Sequence, residues 1–254
     1  MNDSLKNKTI LITGSSRGIG KSTALMLSDA GATIIIHCKE NIKAAEQTLS
    51  ELCPGKHFIV QADLSDVEAI KKLVDEVYQK VGKLDVLVNN VGTHTDLPIA
   101  TTEFDRWFEI WNHTIATNLS GLAHLSFLVS KKMMKQGGGR IINVSSRGAF
   151  RGEPNSLAYG ASKAGINSFG QSMAKALAPH GVFVYTVAPG FVETDLTAHT
   201  LDGPLGNEIR MQSPFERVAK PKEVAKIILF FASEAPEFMT GCIVDINGAS
   251  YLRT

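Results

Sequence analysis

Tyr159 and Lys163 stand four residues apart, and Ser146 lies thirteen residues before the tyrosine. On a helix, side chains at i and i+4 share one face, about one turn apart. A phenol has a reference pKa near ~10, so holding it ionised at pH 7 costs roughly 4 kcal/mol. An ammonium at ~4 Å and an effective dielectric of ~20 is worth about that much. The spacing therefore predicts a phenol that exchanges protons near neutrality, its pKa lowered by Lys163. Taken alone, Tyr-x-x-x-Lys more often means a packed tyrosine beside a solvated lysine. A second reactant beside the phenol separates the two readings.

The start of the chain supplies a place for one. Thr9–Thr13 is a short apolar run that reads as a buried strand. It leads into Gly14-Ser15-Ser16-Arg17-Gly18-Ile19-Gly20, then a helical stretch over Lys21–Ala30 that Gly31 stops. Strand, glycine loop and helix in that order suit a dinucleotide. The glycines allow a tight turn and let the backbone approach a pyrophosphate at a helix N-terminus.

The elements that must position these residues follow in alternation. Strands are expected at Thr33–His37, Phe58–Ala62, Leu84–Val88, Arg140–Ser145, Val182–Ala188 and Ile243–Asn247. Helices are expected at Ile42–Leu52, Ser65–Val81 with Ser65 as N-cap, Phe104–Gln136, Ser156–Pro179 and Pro221–Ser233. Thr194–Pro214 is polar and contains glycine, and reads as a mobile loop. Strands and helices alternating along the whole chain imply an α/β protein of one domain, residues 1–254: a doubly wound parallel sheet of about seven strands with helices on both faces. In that fold ligands lie beyond the carboxyl ends of the strands. Gly14, Asn90, Ser146 and Pro189 all follow strand ends, so they should converge on one cleft.

Composition sets the outer bounds. The 254 residues carry a formal net charge of +1, which gives no reason to expect nucleic acid or an anionic membrane as partner. Cys38, Cys53 and Cys242 have no metal spacing and suggest free thiols in a reducing compartment. No signal peptide or membrane span is expected, which points to the cytoplasm. His94, His113 and His124 have no ligand spacing and read as surface or core residues, and no metal is expected. Trp107 and Trp111 read as packing residues on a helix face.

Together, Thr13-Gly14-Ser-Ser16-Arg17-Gly18-Ile19-Gly20, Asp63, Asn89-Asn90-Val91-Gly92, Asn118, Ser146, Tyr159-x-x-x-Lys163, Pro189-Gly190 and Thr194 resemble the short-chain dehydrogenase/reductases with a single Rossmann domain. The match runs through essentially the whole chain, with Val91 standing where the family usually has alanine. The resemblance implies that Tyr159 is the proton donor in reduction and the base in oxidation. It gives Lys163 to the phenol and the nicotinamide ribose, Ser146 to the substrate oxygen and Asn118 to a water that relays protons. Ser145 competes with Ser146, and the thirteen-residue spacing favours Ser146. The cofactor would be held by Gly14, Ser16, Arg17, Gly18, Ile19, Gly20, Lys39, Asp63, Leu64, Asn90, Gly92, Tyr159, Lys163, Pro189, Gly190, Val192 and Thr194.

Within the family the chain is similar to 3-oxoacyl-carrier-protein reductases through Pro189-Gly-Phe-Val-Glu-Thr194-Asp-Leu-Thr and Thr240-Gly241…Asn247-Gly248. This implies an oxidoreductase acting on a ketone, a secondary alcohol or an acyl thioester, and a homotetramer or homodimer. Dehydrogenases of sugars, steroids or secondary metabolites are a second reading, and a non-catalytic nucleotide sensor a third. NADP(H) is expected over NAD(H). The family's acidic ribose-binding position falls on Cys38, the next position on Lys39, and Arg17 offers a second cation for a 2′-phosphate. Two carrier-docking cations of those reductases fall here on Gly137 and His180, so no dedicated carrier protein is expected as partner.

Overall fold

The computed structural model describes residues 3–253. Seven strands form one parallel sheet: β1 (Thr9–Ile12), β2 (Thr33–Cys38), β3 (Phe58–Gln61), β4 (Val86–Asn89), β5 (Gly139–Val144), β6 (Val182–Pro189) and β7 (Ile243–Ile246). Their order is β3-β2-β1-β4-β5-β6-β7. The helices between them are α1 (Gly18–Asp29), α2 (Ile42–Ser50), α3 (Val67–Val81), α4 (Phe104–Ile115), α5 (Gly121–Lys135), α6 (Gly148–Arg151), α7 (Leu157–Leu177), α8 (Asp195–Asp202), α9 (Gly206–Met211) and α10 (Pro221–Ser233).

The strands are apolar on both faces, and their alternation sorts the core into two layers. Ile10, Ile12, Ile34, Ile36, Val86 and Val88 pack with Ala24 and Leu27 of α1 and with Val224, Ile228 and Phe231 of α10. Leu11, Ile35, Leu87 and Ile141 turn the other way, onto Ile70 and Val74 of α3, Leu125 and Val129 of α5 and Ala174 of α7. This is the expected doubly wound Rossmann sheet. Because every strand is parallel, β1, β4, β5 and β6 deliver their C-terminal residues to the same edge.

Three local expectations are corrected. The N-cap of α3 is Asp66, whose carboxylate accepts the amides of Glu68 and Ala69; Ser65 is turned toward Asp63 instead. The stretch Phe104–Gln136 is not one helix, because a π-helical turn at Ala116–Ser120 separates α4 from α5. That wide turn directs Asn118 inward, and Gly121 passes so close to Leu64 that a Cβ would meet its carbonyl oxygen at 2.0 Å. Thr194–Pro214 is not a loop but holds α8 and α9. A Thr194–Thr197 capping box starts α8, and Leu201 and Ile209 bury its apolar side. The short helix α6 has no counterpart in the sequence reading.

Candidate active site

At the sheet edge the end of β4 is sewn to the end of β1. Thr13 Oγ1 accepts the amides of Asn90 (2.9 Å) and Val91 (3.1 Å). Asn90 Nδ2 donates to the carbonyls of Thr13 (2.9 Å) and Gly14 (3.1 Å). Gly14 and Gly18 have φ of +63° and +56°, which β-carbons oppose. A Cβ on Gly20 would sit 2.3 Å from the Gly14 carbonyl, so that glycine exists for packing. Val91 lies against Gly14, where a Cβ would meet Val91 Cγ2 at 3.1 Å.

These features open a cleft of about 520 Å³ over the sheet edge. Its lining includes Gly14, Ser16, Arg17, Gly18, Ile19, Lys39, Asp63, Leu64, Asn90, Gly92, Ser146, Tyr159, Lys163, Pro189, Gly190, Val192 and Thr194. Of the residues expected at the site, Gly20 and Asn118 stand behind the wall. At α1 the N-cap is Arg17, which makes no side-chain cap, and the first turn carries no acid, so its opening amides are free for an anion. Thr117 Oγ1, also at the cleft, is shielded and has no hydrogen-bond partner.

The reacting groups meet where β5 ends and α7 begins. Ser145 is spent on structure, its hydroxyl donating to the Lys163 carbonyl at 3.2 Å. Ser146 Oγ accepts the Gly148 amide at 3.0 Å, and its hydroxyl stands near enough to the Tyr159 phenol to act on its pKa. Lys163 reaches past the tyrosine, with Nζ 5.6 Å from the ring centroid and 2.9 Å from the Val144 carbonyl. Burial pushes its ammonium down to about 8.

The expected lowering of the phenol by Lys163 is corrected. Burial raises the Tyr159 pKa, the neighbouring Ser146 hydroxyl opposes that rise, and the charge of Glu153 adds to it. Asn118 is fully buried, and both of its side-chain amide hydrogens are used. Its Oδ1 accepts the Thr93 amide (2.8 Å), and its Nδ2 donates to the Thr93 carbonyl (2.9 Å) and Ser162 Oγ (3.2 Å). The side chain thus clamps the segment after β4, and Oδ1 keeps one acceptor site beyond the Thr93 amide.

Lys39 and Asp63, treated separately in the sequence, are joined at 2.9 Å, with Glu40 at 3.7 Å from the same ammonium. Burial pushes the Asp63 carboxyl up, but the Ser65 amide and hydroxyl and Lys39 hold it down at about 2. Arg17 is exposed and makes no ion pair among the described residues.

One residue that the sequence reading passed over is central. His37 is buried at the end of β2. Its Nδ1 accepts the Gly14 amide (3.1 Å) and its Nε2 donates to the Ala62 carbonyl (3.1 Å). Burial pushes it down to about 4, so the ring is neutral and ties the glycine loop to β3. The available signal was a histidine inside the β-branched run Thr33–Cys38, where a polar ring needs two partners.

Fold and cleft together define a nucleotide-binding α/β enzyme of the doubly wound class. The sequence profile of the short chain dehydrogenase family matches residues 8–204, and the chain belongs to that family. It is an oxidoreductase acting on CH–OH or ketone groups. It is 38% identical over 254 residues to the 3-oxoacyl-acyl-carrier-protein reductase FabG of Aquifex aeolicus, covering 97% of this chain and 98% of the relative. It is also 38% identical over 247 residues to the FabG of Thermotoga maritima, covering 96% and 98%. Among solved structures, a dehydrogenase/reductase from Sinorhizobium meliloti 1021 superposes with a TM-score of 0.90 at 28% identity, over 99% of this chain and 98% of that one. Gox2181 superposes with a TM-score of 0.89 at 29% identity, over 98% of each chain. The family binds a nicotinamide cofactor, and the glycine loop and the free amides of α1 fit one. No helix of the described residues is long and apolar enough to cross a membrane.

Proposed function

We propose that this chain is an NADP(H)-dependent reductase that interconverts a ketone and its secondary alcohol. The observation that carries the reading is the convergence of Ser146, Tyr159 and Lys163 on one nucleotide-sized cleft, with the Lys163 ammonium 5.6 Å from the Tyr159 ring centroid. When bound, the reduced nicotinamide supplies a hydride to the carbonyl carbon. Tyr159 gives its phenol proton to the carbonyl oxygen, and takes it back in oxidation. The Ser146 hydroxyl donates to that oxygen as negative charge builds. Lys163 carries a buried ammonium with no ion-pair partner among the described residues, facing Gly92 where the ribose would lie. Asn118 keeps the post-β4 segment in place.

Arg17 supplies the free cation for a 2′-phosphate, and Lys39 shares its charge with Asp63. The exposed Gly137 and His180 leave the carrier-docking positions of similar reductases without a lysine or arginine, which favours small free ketones or short thioesters. A homotetramer or homodimer is supported by α4, whose Phe104, Trp107 and Trp111 stack in a ladder. Phe104 and Phe108 there and Phe127 on α5 stay exposed. The three free thiols suit a reducing cytoplasm. The test is loss of nicotinamide absorbance over a ketone panel, with NADPH and NADH in parallel. Turnover with NADPH ahead of NADH is expected. Nucleotide binding without turnover of any ketone would leave a sensor instead.

A further inference from the structure

Beside Ser146 and Tyr159, outside the nucleotide cleft, stand three polar or charged side chains: Arg151, Glu153 and His94. Arg151 donates through Nε and Nη2 to the two carboxylate oxygens of Glu153, each at 3.2 Å. Glu153 lies against Gly148, where a Cβ would come 2.7 Å from Oε1. Gly148 is the residue whose amide holds Ser146 Oγ. On the other flank the His94 ring stands edge-on to Tyr159, with centroids 5.0 Å apart. His94 Nε2 is 3.0 Å from Ser156 Oγ, which donates to Asp96 at 2.5 Å. None of Arg151, Glu153 and His94 lines the nucleotide cleft.

From this arrangement we propose that the substrate is a small, neutral ketone or alcohol carrying hydroxyl groups next to the reacting carbon, with Glu153 as the acceptor for one of them. The assignment rests on the reading of Ser146 and Tyr159 as the reacting pair. The Arg151 and Glu153 side chains keep only 26% and 20% of their surface in water. An alkyl chain laid over them removes that remaining water and returns no hydrogen bond. A hydroxyl replaces the water, since each Glu153 oxygen takes one bond from Arg151 and has lone-pair capacity left. A long acyl chain calls for an apolar lining, and Arg151, Glu153 and His94 offer it none.

The test is kcat/KM of the full-length protein with NADPH over two series: 3-oxoacyl pantetheine thioesters from butanoyl to dodecanoyl, and hydroxyketones from dihydroxyacetone to a ketohexose. The thioester series should be flat or falling, and the best hydroxyketone should lead it by about tenfold or more. An apolar channel would instead show a rise of about fourfold per buried methylene, and such a rise would overturn the assignment. Glu153→Gln should raise KM for the hydroxyketone about tenfold and leave KM for the thioesters unchanged, any change in kcat through the Tyr159 phenol being common to both series; equal rises in KM on both series would mean a structural role only. The double variant R151L/E153L should reverse the order of the series. If it does not fold, Glu153→Gln carries the test. Tyr159→Phe run alongside separates the two layers. Turnover surviving there removes the reacting pair and this assignment with it. Turnover lost there, with a climbing thioester series in the unmutated protein, removes only the substrate class.

Discussion

The two halves of the cleft hold their contents by different means. On the β1–β3 side the work is done by main chain: positive-φ glycines, the free amides of α1, and a neutral histidine that takes one amide and gives to one carbonyl. On the β4–β6 side it is done by side chains: half-buried Tyr159, buried Lys163 between that ring and the Val144 carbonyl and, outside the cleft next to Ser146, Arg147. The Arg147 guanidinium is buried, bonds the neutral Gln212 and Ser250, and is pushed down to about 10, chiefly by burial. The first half is built for affinity and tolerates water. The second spends stability to keep titratable groups poised, which is the usual position of a reacting site.

The sharpest break of that contrast is Tyr159→Phe. It leaves the main-chain half untouched, so the Kd for NADPH should stay within about twofold while kcat falls by about 10³-fold, within the usual range for a positioned acid. Stopped-flow turnover and cofactor titration on the same preparation check both halves at once. Near-normal turnover would remove the phenol from the chemistry.

Lys163→Met should show the cost of the second half directly. Its ammonium is lowered from 10.5 to about 8 by burial. Below pH 8 the lysine is charged both folded and unfolded, so folding bears the full penalty, roughly 3 kcal/mol. Between pH 8 and 10.5 the folded state sheds its proton first and the penalty fades. The methionine variant should therefore be more stable at pH 7 by about 2 kcal/mol, after losing the bond to the Val144 carbonyl, and that gain should shrink toward pH 10.5. Its kcat should collapse and its cofactor affinity weaken. Urea unfolding at both pH values decides it; a variant less stable at pH 7 would mean that the ammonium is well solvated in place.

Most of the first half was legible in the sequence, because main-chain devices leave glycine patterns and apolar alternation behind. Gly14-x-x-x-Gly18-x-Gly20 and the runs at Thr9 and Thr33 located the loop and its strands. Ser146 was preferred over Ser145 by spacing, and the structure shows Ser145 spent on the Lys163 carbonyl. Other features had no local signature. The π-helical turn that aims Asn118 depends on Thr93 and Leu64 lying opposite it. The helices α8 and α9 are ordered by burial of Leu201 and Ile209 and by Ser213 bonding the Gly248 carbonyl 35 residues on. The effect of Lys163 on Tyr159 was misjudged because spacing reports proximity and says nothing of desolvation.

His37 gives the first half its own pH dependence, opposite in side to that of Lys163. Burial lowers it from 6.5 to about 4. As pH falls through 6.5 the unfolded chain takes up a proton that the folded chain refuses until about 4. Stability should drop across that window by up to about 3 kcal/mol. His37→Gln should be less stable at pH 7, since it cannot serve both Gly14 and Ala62, yet flatter between pH 6.5 and 4. Denaturant midpoints at three pH values measure the slope, and an unchanged slope would assign the acid sensitivity to another group.

The smallest expected effect tests whether side-chain charge matters on the main-chain side at all. Lys39 is the cation expected beside a 2′-phosphate, but its ammonium is committed to Asp63 at 2.9 Å, and the Asp63 hydrogen bond is the main influence raising its pKa. A phosphate must therefore draw Lys39 away from a carboxylate, and the net attraction is the difference between two charge-assisted bonds. Arg17 faces no such competition. Lys39→Ala should raise KM for NADPH by only about threefold with NADH unchanged, and Arg17→Ala by about tenfold, consistent with one uncompensated charge-assisted bond. Asp63→Asn should release Lys39 and make Lys39→Ala as costly as Arg17→Ala in that background. Steady-state KM values for both cofactors across the four proteins decide it. If Lys39→Ala exceeds Arg17→Ala in the unmutated background, the Lys39–Asp63 bond does not hold Lys39 back and the phosphate takes it freely.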